Sequence, residues 1–369
     1  MPETSTLRRT DPLAAGAHWT PHDDARTEKP FRVAHISDLH ILDLEGTHWS
    51  QFLNKRITGA MNLAGMRRNA HPVALCELLA RRLHCSDIDH VIITGDITNL
   101  ALDSEFKRAK AIVEMIGPPS FVTIIPGNHD MYTRGALRHH RFERYFSPYL
   151  VDDANDHHSA LNHGRLHYPF VRAPAPHVRI YGLSSAVPTP PFLAFGHVGK
   201  PQLDRLRALR AAEPDEVTVR VALVHHNLHH RLGAAEYLAS LFDRKAFSQA
   251  MHEVGATVVL HGHTHSPHQG HLPHRPEGMT ARQARNAARN AEAADAAAAA
   301  AVGPDIPVFG CGSSTWTKKG KDRARFNVLE IGGSALDRVV SYRFSETSGA
   351  FEPEHQDLLT KAMDNAILL

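Results

Sequence analysis

The stretch ATVVLHGHTH, residues 256–265, contains the pattern that decides how the chain folds. A run of apolar and β-branched residues ends at Leu260, and histidines follow it at positions 261, 263 and 265. Such an uninterrupted run is typical of a strand that is buried on both faces of a sheet. Because imidazole is the commonest metal-binding side chain, the stretch predicts that a metal site forms where this strand ends.

Four other apolar runs end in the same way. They are FRVAHI before Asp38 and His40, HVIIT before Asp96, FVTIIP before Asn128, His129 and Asp130, and VRVALV before His225 and His226. Ligands of open α/β sheets bind outside the carboxyl ends of the strands, so five such ends can converge on one site. The spacing i, i+2 points the members of the pairs Asp38/His40 and His263/His265 to the same side of an extended chain.

Helical patterns separate these strands. They fall at 72–85, 103–116, 134–146, 200–212 and 236–253, and further strand candidates lie at 178–185, 307–313, 325–331 and 337–344. The alternation of strand and helix predicts an α/β layered fold.

Three other segments stand apart from this alternation. Residues 1–30 are polar and aperiodic, and we expect a flexible N-terminal segment. Residues 279–303 are dominated by alanine, which predicts a helical insertion. The insertion is either a plain surface element or, through its arginines, a basic lid over an anionic substrate. Residues 346–369 are expected to form a C-terminal tail or helix.

Composition gives little support to some function classes. The chain has 369 residues with 41 Lys+Arg against 39 Asp+Glu, and this near-neutral balance gives no general case for a nucleic-acid or membrane surface. Histidine is unusually frequent, with 29 residues. Three cysteines without a CxxC pair favour a reducing compartment. Because no signal peptide and no apolar run of roughly 20 residues is present in the sequence, we expect a soluble, cytoplasmic protein.

In their order DxH, GD, GNHD, HH and GHxH, the five motifs resemble the calcineurin-like metallophosphoesterase superfamily, from about residue 31 to residue 345. The resemblance implies that residues 31–345 form a layered domain, a sandwich of two mixed β-sheets flanked by helices. It also implies two divalent metals, with Asp96 bridging them. One metal is expected on Asp38, His40, Asp96 and His265, and the second on Asp96, Asn128, His225 and His263, with His129 as a catalytic residue beside the phosphate.

The charges of this ligand set fit the implied chemistry. Two carboxylates against two dications leave a surplus of about +2, which lowers the pKa of a bridging water and attracts a phosphate oxygen. A bridging hydroxide can then attack phosphorus in line. A mixed nitrogen and oxygen ligand set suits Mn, Fe or Zn, and the sequence does not choose among them.

Three residues are candidate substrate contacts. Asn54 and Arg56, in the stretch NKRITG, can bind a phosphate or can belong to a solvated basic helix end. Asn99 occupies the position where many members of the superfamily have an aspartate that orients the catalytic histidine. A carboxamide can hydrogen-bond an imidazole but cannot neutralise an imidazolium, so the partner of His129 stays open.

The sequence leaves several functions open. The leading hypothesis is a phosphodiesterase that acts on a small phosphate ester. The alternatives are a phosphomonoesterase, a lipid or nucleotide pyrophosphatase, a DNA-repair-type nuclease and a metal-bound scaffold without activity. Peripheral membrane contact stays open for a lipid phosphate substrate, and the oligomeric state is not predicted. His261, His268, His271 and His274 receive no role.

Overall fold

The structure is a computed structural model of the chain. It describes residues 29–48, 71–131, 133–150, 152–153, 161–162, 165–166, 168–190, 193–229, 238–274, 304–317 and 323–367. Three of the predictions fall outside this part of the chain: the N-terminal segment up to residue 28, the phosphate contacts Asn54 and Arg56, and the alanine-rich insertion at 279–303.

The described strands follow the apolar runs closely. They are β1 (Phe31–Ile36), β2 (His90–Ile93), β3 (Val122–Ile124), β4 (Leu161–Asn162), β5 (Arg165–Leu166), β6 (Phe170–Ala175), β7 (Val178–Gly182), β8 (Val219–Leu223), β9 (Val258–His261), β10 (His268–Leu272), β11 (Ile306–Gly310), β12 (Arg325–Ile331), β13 (Leu336–Ser345) and β14 (Ala350–Asp357).

These strands form two six-stranded mixed sheets and a small hairpin. The first sheet has the order β14-β13-β12-β1-β2-β3, in which β1, β2 and β3 are parallel and the other neighbours are antiparallel. The second has the order β10-β11-β9-β8-β7-β6, with a parallel centre and an antiparallel strand at each edge. Strands β4 and β5 pair only with each other. The predicted sandwich of two mixed sheets is therefore confirmed.

Helices lie between and after the strands. They are α1 (Val73–His84), α2 (Asp103–Ile116), α3 (Arg134–Arg138), α4 (Arg141–Phe146), α5 (Lys200–Ala211), α6 (Arg244–Glu253) and α7 (Leu358–Met363). Helix α1 links β1 to β2 and α2 links β2 to β3, as crossover connections between parallel strands require. The carboxyl ends of β1, β2 and β3 therefore lie at one edge of the first sheet.

Two apolar clusters hold the layers together. The larger one joins both sheets, since Val33 and Ile93 of the first sheet share it with Leu223 and Leu260 of the second. The smaller one covers the other face of the second sheet, where Val259 packs with residues of α5 and α6. Because Leu260 and Val259 point to opposite faces of β9, this strand is buried on both sides, as its unbroken apolar run predicts.

The helices and the C-terminal segment depart from the expected elements in three places. The helix expected over 134–146 is divided at His140, which has a left-handed backbone with φ of 45°. The helix expected over 236–253 begins only at Arg244, because residues 238–243 form turns around a β-bridge between Leu241 and Gly196. The segment expected to be a C-terminal tail or helix contributes both the edge strand β14 and the helix α7.

Candidate metal centre

The polar residues that follow β1 and β2 are aligned by main-chain hydrogen bonds. Beyond the strands, the amides of Asp38 and His40 donate to the carbonyls of Gly95 and Asp96, both at 3.0 Å. The two segments therefore continue side by side after the regular sheet has ended. This alignment carries Asp38, His40 and Asp96 to the same edge of the first sheet.

Most of these residues adopt a backbone conformation that ordinary side chains avoid. Asp38, His40, Asp96, His263 and His265 have φ between 46° and 72°, and they are five of the seven non-glycine residues with positive φ in the described chain. Each such residue costs on the order of 1 kcal/mol or more, so the surrounding contacts must enforce it. Left-handed residues turn the backbone sharply and direct these side chains towards a common centre.

Two carboxylates and two histidines form the first potential ligand group. Asp38, His40, Asp96 and His265 each offer an atom within 4.8 Å of the others. The Nε2 atoms of His40 and His265 are 2.7 Å apart, and Nε2 of His265 lies 3.4 Å from Oδ1 of Asp38. Nε2 of His40 lies 3.8 Å from Oδ2 of Asp96. This is the set that the sequence resemblance assigns to one metal.

The second group shares Asp96 with the first. Nε2 of His225 lies 3.3 Å from Oδ2 of Asp96 and 3.1 Å from Oδ1 of Asn128. Nδ1 of His263 is 2.9 Å from the same Asn128 oxygen. The main-chain carbonyl of Thr94 lies 2.7 Å from Nδ1 of His225 and accepts its proton, so Nε2 is the ring nitrogen that faces the group. We call the two groups together the central cluster.

Hydrogen bonds across the molecule hold the carboxylates in place. The amide of His263, from the second sheet, donates to Oδ2 of Asp38 at 3.0 Å. The amide of His129 donates to Oδ1 of Asp96 at 2.8 Å. Gly127 is needed next to Asp96, because a Cβ atom there would overlap both the carboxylate and the amide of Asp96. The ligand geometry is therefore enforced by main-chain groups.

Burial shapes the charge of the carboxylates and of His225. Burial raises the pKa of Asp38 to about 7, although the neighbouring His225 works in the opposite direction. Burial also opposes the ionisation of Asp96, but the charges of His225 and His129, together with the hydrogen bond from His225, outweigh burial and hold the pKa of Asp96 well below its ordinary range. Burial disfavours the charged form of His225, yet the charge and hydrogen bond of Asp96 raise its pKa to about 9. In the metal-free chain, Asp96 and His225 therefore form a buried ion pair.

The imidazoles of His40 and His263 are neutral. Burial lowers the pKa of His263 to about 3 and that of His40 well below its ordinary value. A metal binds the neutral form of imidazole, so these two side chains need not lose a proton before they coordinate. The donor set of carboxylates, an amide oxygen and neutral imidazoles fits divalent transition metals.

His129 lies in the cleft above Asp96, and its partner is a main-chain atom. Nδ1 of His129 is 2.6 Å from the carbonyl oxygen of Asn99, so the ring donates Nδ1–H to the backbone of that residue. The partner of His129, which the sequence left open, is therefore the main-chain carbonyl of Asn99 and not its carboxamide. The last residue of the GNHD motif plays a different part, since buried Asp130 accepts hydrogen bonds from the amides of Gly127 and Thr98, both at 2.9 Å. Asp130 therefore connects the loop that follows Asp96 to the loop that contains Gly127.

The structure brings two further residues to the centre that sequence reasoning missed. The ring of His71 lies 4.9 Å from that of His40, and its Nδ1 is 2.7 Å from Oγ1 of Thr315. Trp316 contacts both His71 and His265, with ring centroids 5.3 and 6.1 Å apart. No spacing motif marks either residue, although Trp316 follows a predicted strand at about the same distance as the ligands do.

A cleft opens over the central cluster. Its lining includes Asp96, Asn128, His129, Ala194, His263, Thr264, His265, Ser266 and Trp316. The neighbouring His226, which we did not expect to be a ligand, is buried behind His263 and hydrogen-bonded to Oγ of Ser185 at 2.7 Å. A small ligand in the cleft can thus reach both potential metal groups and His129 at once.

Comparison with known proteins identifies one family. The sequence pattern of calcineurin-like phosphoesterases matches residues 31–267, more than half of the chain. No curated protein matches the sequence. The match contains all five strand-end motifs, from Asp38 to His265.

Several solved structures are similar to this chain at low sequence identity. A purple acid phosphatase from yellow lupin (Lupinus luteus) seeds is 12% identical, with a TM-score of 0.49 over 92% of this chain and 56% of that protein. PhoD is 8% identical, with a TM-score of 0.46 over 94% and 76%. A putative 5'-nucleotidase from Staphylococcus aureus is 10% identical, with a TM-score of 0.40 over 88% and 52%. The chain spans little more than half the length of the lupin phosphatase.

Proposed function

Because the chain belongs to the calcineurin-like phosphoesterases, a family of metal-dependent phosphoric ester hydrolases, we propose that it hydrolyses phosphodiester bonds with two divalent metals in the central cluster. One observation carries this proposal: two groups of buried and partly buried ligands share Asp96 and border one cleft.

We assign the ligands as the two groups divide them. Asp38, His40, Asp96 and His265 hold one metal, and Asp96, Asn128, His225 and His263 hold the other. When bound, two divalent metals supply an activated water and positive charge for attack on phosphorus. Mn, Fe and Zn all suit this mixed set of nitrogen and oxygen donors.

In the proposed reaction, the residues of this chain orient the reacting groups and form no covalent bond to the substrate. Asn99 accepts the Nδ1 proton of His129 through its carbonyl, which fixes the ring and leaves Nε2 for the substrate. From there His129 can donate a proton to the leaving oxygen or stabilise charge on the phosphate. His225 and Asp38 are fully buried, so the protein shields these two ligands from bulk solvent.

The cleft wall favours a diester over a monoester. Trp316 and Ala194 line the cleft beside polar ligands, and apolar lining contacts the organic part of a bound molecule. A diester carries two organic substituents on phosphorus, so one can lie against this wall while the other leaves. The substrate we propose is therefore a small phosphodiester.

The test uses two chromogenic esters. Tag-free protein loaded with Mn²⁺ or Zn²⁺ should hydrolyse bis-p-nitrophenyl phosphate faster than p-nitrophenyl phosphate, and a chelator or Asp96→Ala should abolish both reactions. Asp215→Ala, an exposed carboxylate outside the cleft, is the matched control and should keep full activity. Faster hydrolysis of the monoester would refute the diesterase assignment. No metal-dependent turnover of either ester would refute the hydrolase itself.

The cellular setting is a separate proposal. None of the helices in the described part of the chain is long and apolar enough to cross a bilayer. The three cysteines without a CxxC pair favour a reducing compartment, and we propose a cytoplasmic location on that ground. Fractionation of cells that express the full chain tests this proposal.

A further inference from the structure

Three histidines outside the central cluster come together on the second sheet. His229, His261 and His268 each offer a ring nitrogen within 4.8 Å of the others. The rings of His229 and His268 are stacked with centroids 3.4 Å apart, and the ring of His261 lies 5.6 Å from that of His229. The metal-ligand assignments above use none of these residues. We call them the histidine cluster.

The strand register explains why His261 and His268 meet. In the second sheet β11 lies between β9 and β10, and Gly310 of β11 pairs with His261 on one side and His268 on the other. Paired residues point to the same face, so both imidazoles project over Gly310. A Cβ atom on Gly310 would lie 2.5 Å from Cε1 of His261. The glycine therefore leaves the space in which the two side chains approach each other.

His261 carries the second, independent observation. It is fully buried, and its Nδ1 lies 2.9 Å from the carbonyl of Gly262, so Nδ1–H donates there and Nε2 keeps its lone pair. Among the residues that the structure describes, Nε2 has no hydrogen-bond partner. A buried nitrogen in this state carries a desolvation cost that a ligand would remove. The fixed Nδ1 proton is also the arrangement found for metal-bound histidines.

We propose that His229, His261 and His268 form a further metal site, which takes a transition-metal ion of the Zn²⁺ class. The cluster supplies imidazole nitrogens and no carboxylate, so it suits Zn²⁺, Cu²⁺ or Ni²⁺ and not Mg²⁺ or Ca²⁺. Zn–N bonds of about 2.0–2.1 Å need the three nitrogens closer together than 4.8 Å. His229 and His268 are only partly buried, so small rotations of these two side chains can bring them in. A water completes the fourth position.

The position of the site gives it a structural role. His229 ends the segment that begins with His225, and His261 and His268 bracket the segment that contains His263 and His265. A metal on the histidine cluster would therefore tie together the two loops that carry three ligands of the central cluster. It acts on the loops and touches no substrate.

Metal stoichiometry tests this proposal. Tag-free full-length protein is stripped with a chelator, reloaded with Zn²⁺, dialysed and analysed for zinc per chain by mass spectrometry. His268→Ala and His229→Gln should each hold one equivalent less than the wild type. His197→Gln is the matched control, because His197 is 54% exposed and lies outside both clusters. Equal zinc content in all four proteins would overturn the proposal.

A second measurement separates this site from the proposed function. In Asp96→Ala, which lacks the shared central ligand, the extra equivalent should remain, and Zn²⁺ should still raise the midpoint of thermal unfolding. That rise should vanish in Asp96→Ala/His268→Ala. If Asp96→Ala shows no zinc-dependent rise, the histidine cluster holds no metal of its own, whatever the activity of the wild type.

Discussion

The central cluster and the histidine cluster collect imidazoles in two different ways. The central cluster places five residues in the left-handed region and surrounds two buried carboxylates with histidines. The histidine cluster draws His261 and His268 from regular strands, and among the described residues none of its members has a positive φ. The first geometry is costly and is enforced by hydrogen bonds, whereas the second follows from strand register and one glycine.

Because of this difference, we expect the two clusters to respond differently to amino-acid substitutions. Backbone strain persists only when many contacts impose it, so it points to selection for a particular arrangement of side chains. The histidine cluster needs no left-handed residue among those described, so its formation imposes no such backbone strain. The central cluster should therefore fail sharply when a single support is removed, and the histidine cluster should lose its metal with little effect on the rest of the protein.

The largest contrast is expected in activity. Asp96→Ala removes the ligand that both groups share and should lower kcat/KM by at least about 10³-fold, since even outer-shell changes at metal sites cost roughly 10–100-fold. His268→Ala should lower it by less than about tenfold. Steady-state hydrolysis of bis-p-nitrophenyl phosphate by the metal-loaded variants measures both. If the two variants lose activity equally, the clusters do not differ as we describe.

Substitution of His129 should reduce activity less than substitution of Asp96, and it should leave the metal content unchanged. His129→Gln should reduce kcat by about 10²-fold or more, as loss of a proton donor does, while the metal content stays at the wild-type level. Asn99→Ala should reduce kcat less, because the carbonyl that accepts the Nδ1 proton is retained. An equal loss in both variants would show that the Asn99 carboxamide is the essential partner.

Gly127 tests whether backbone packing enforces the central geometry. Gly127→Ala should displace Asp96, because the added methyl group would overlap its carboxylate and its amide. We expect metal affinity to fall and the free energy of unfolding to drop by about 1–3 kcal/mol, as in other overpacked sites. Calorimetric titration and chemical denaturation measure the two. Gly333→Ala, where a Cβ atom has open space, is the control. Wild-type behaviour of Gly127→Ala would contradict the strained geometry.

The pH dependence of metal affinity tests the ionisation states of His225 and Asp38, and we expect it to change gradually with pH. The pKa of His225 is raised to about 9 and that of Asp38 to about 7, and both groups must lose a proton before they coordinate. Metal affinity should therefore rise with pH, by about tenfold per unit between pH 7 and 9 and more steeply below pH 7. Titration calorimetry in buffers of different ionisation enthalpy counts the protons released. Release that does not increase from pH 8 to pH 6 would contradict these ionisation states.

The strands could be predicted from the sequence where burial on both faces requires a continuous apolar run. All nine predicted strands are present, and most are internal to a sheet, where both faces demand apolar residues. The three longer strands that the sequence patterns did not predict are β6, β10 and β14, and each is an edge strand. Edge strands tolerate proline, glycine and charge, so FVRAPA, HQGHL and AFEPEHQD show no apolar run.

The sequence by itself determined which residues stand at the strand ends, because a local apolar run and the polar residues after it are read from consecutive positions. Only the tertiary structure decided which of those residues meet. The amide of His263 reaches Asp38 across 225 positions, Asn99 holds His129 by its backbone, and His71 joins through Thr315. His261 and His268 approach because a third strand with a glycine lies between theirs. Such contacts depend on the order and register of strands that are distant in sequence, and no local pattern encodes them.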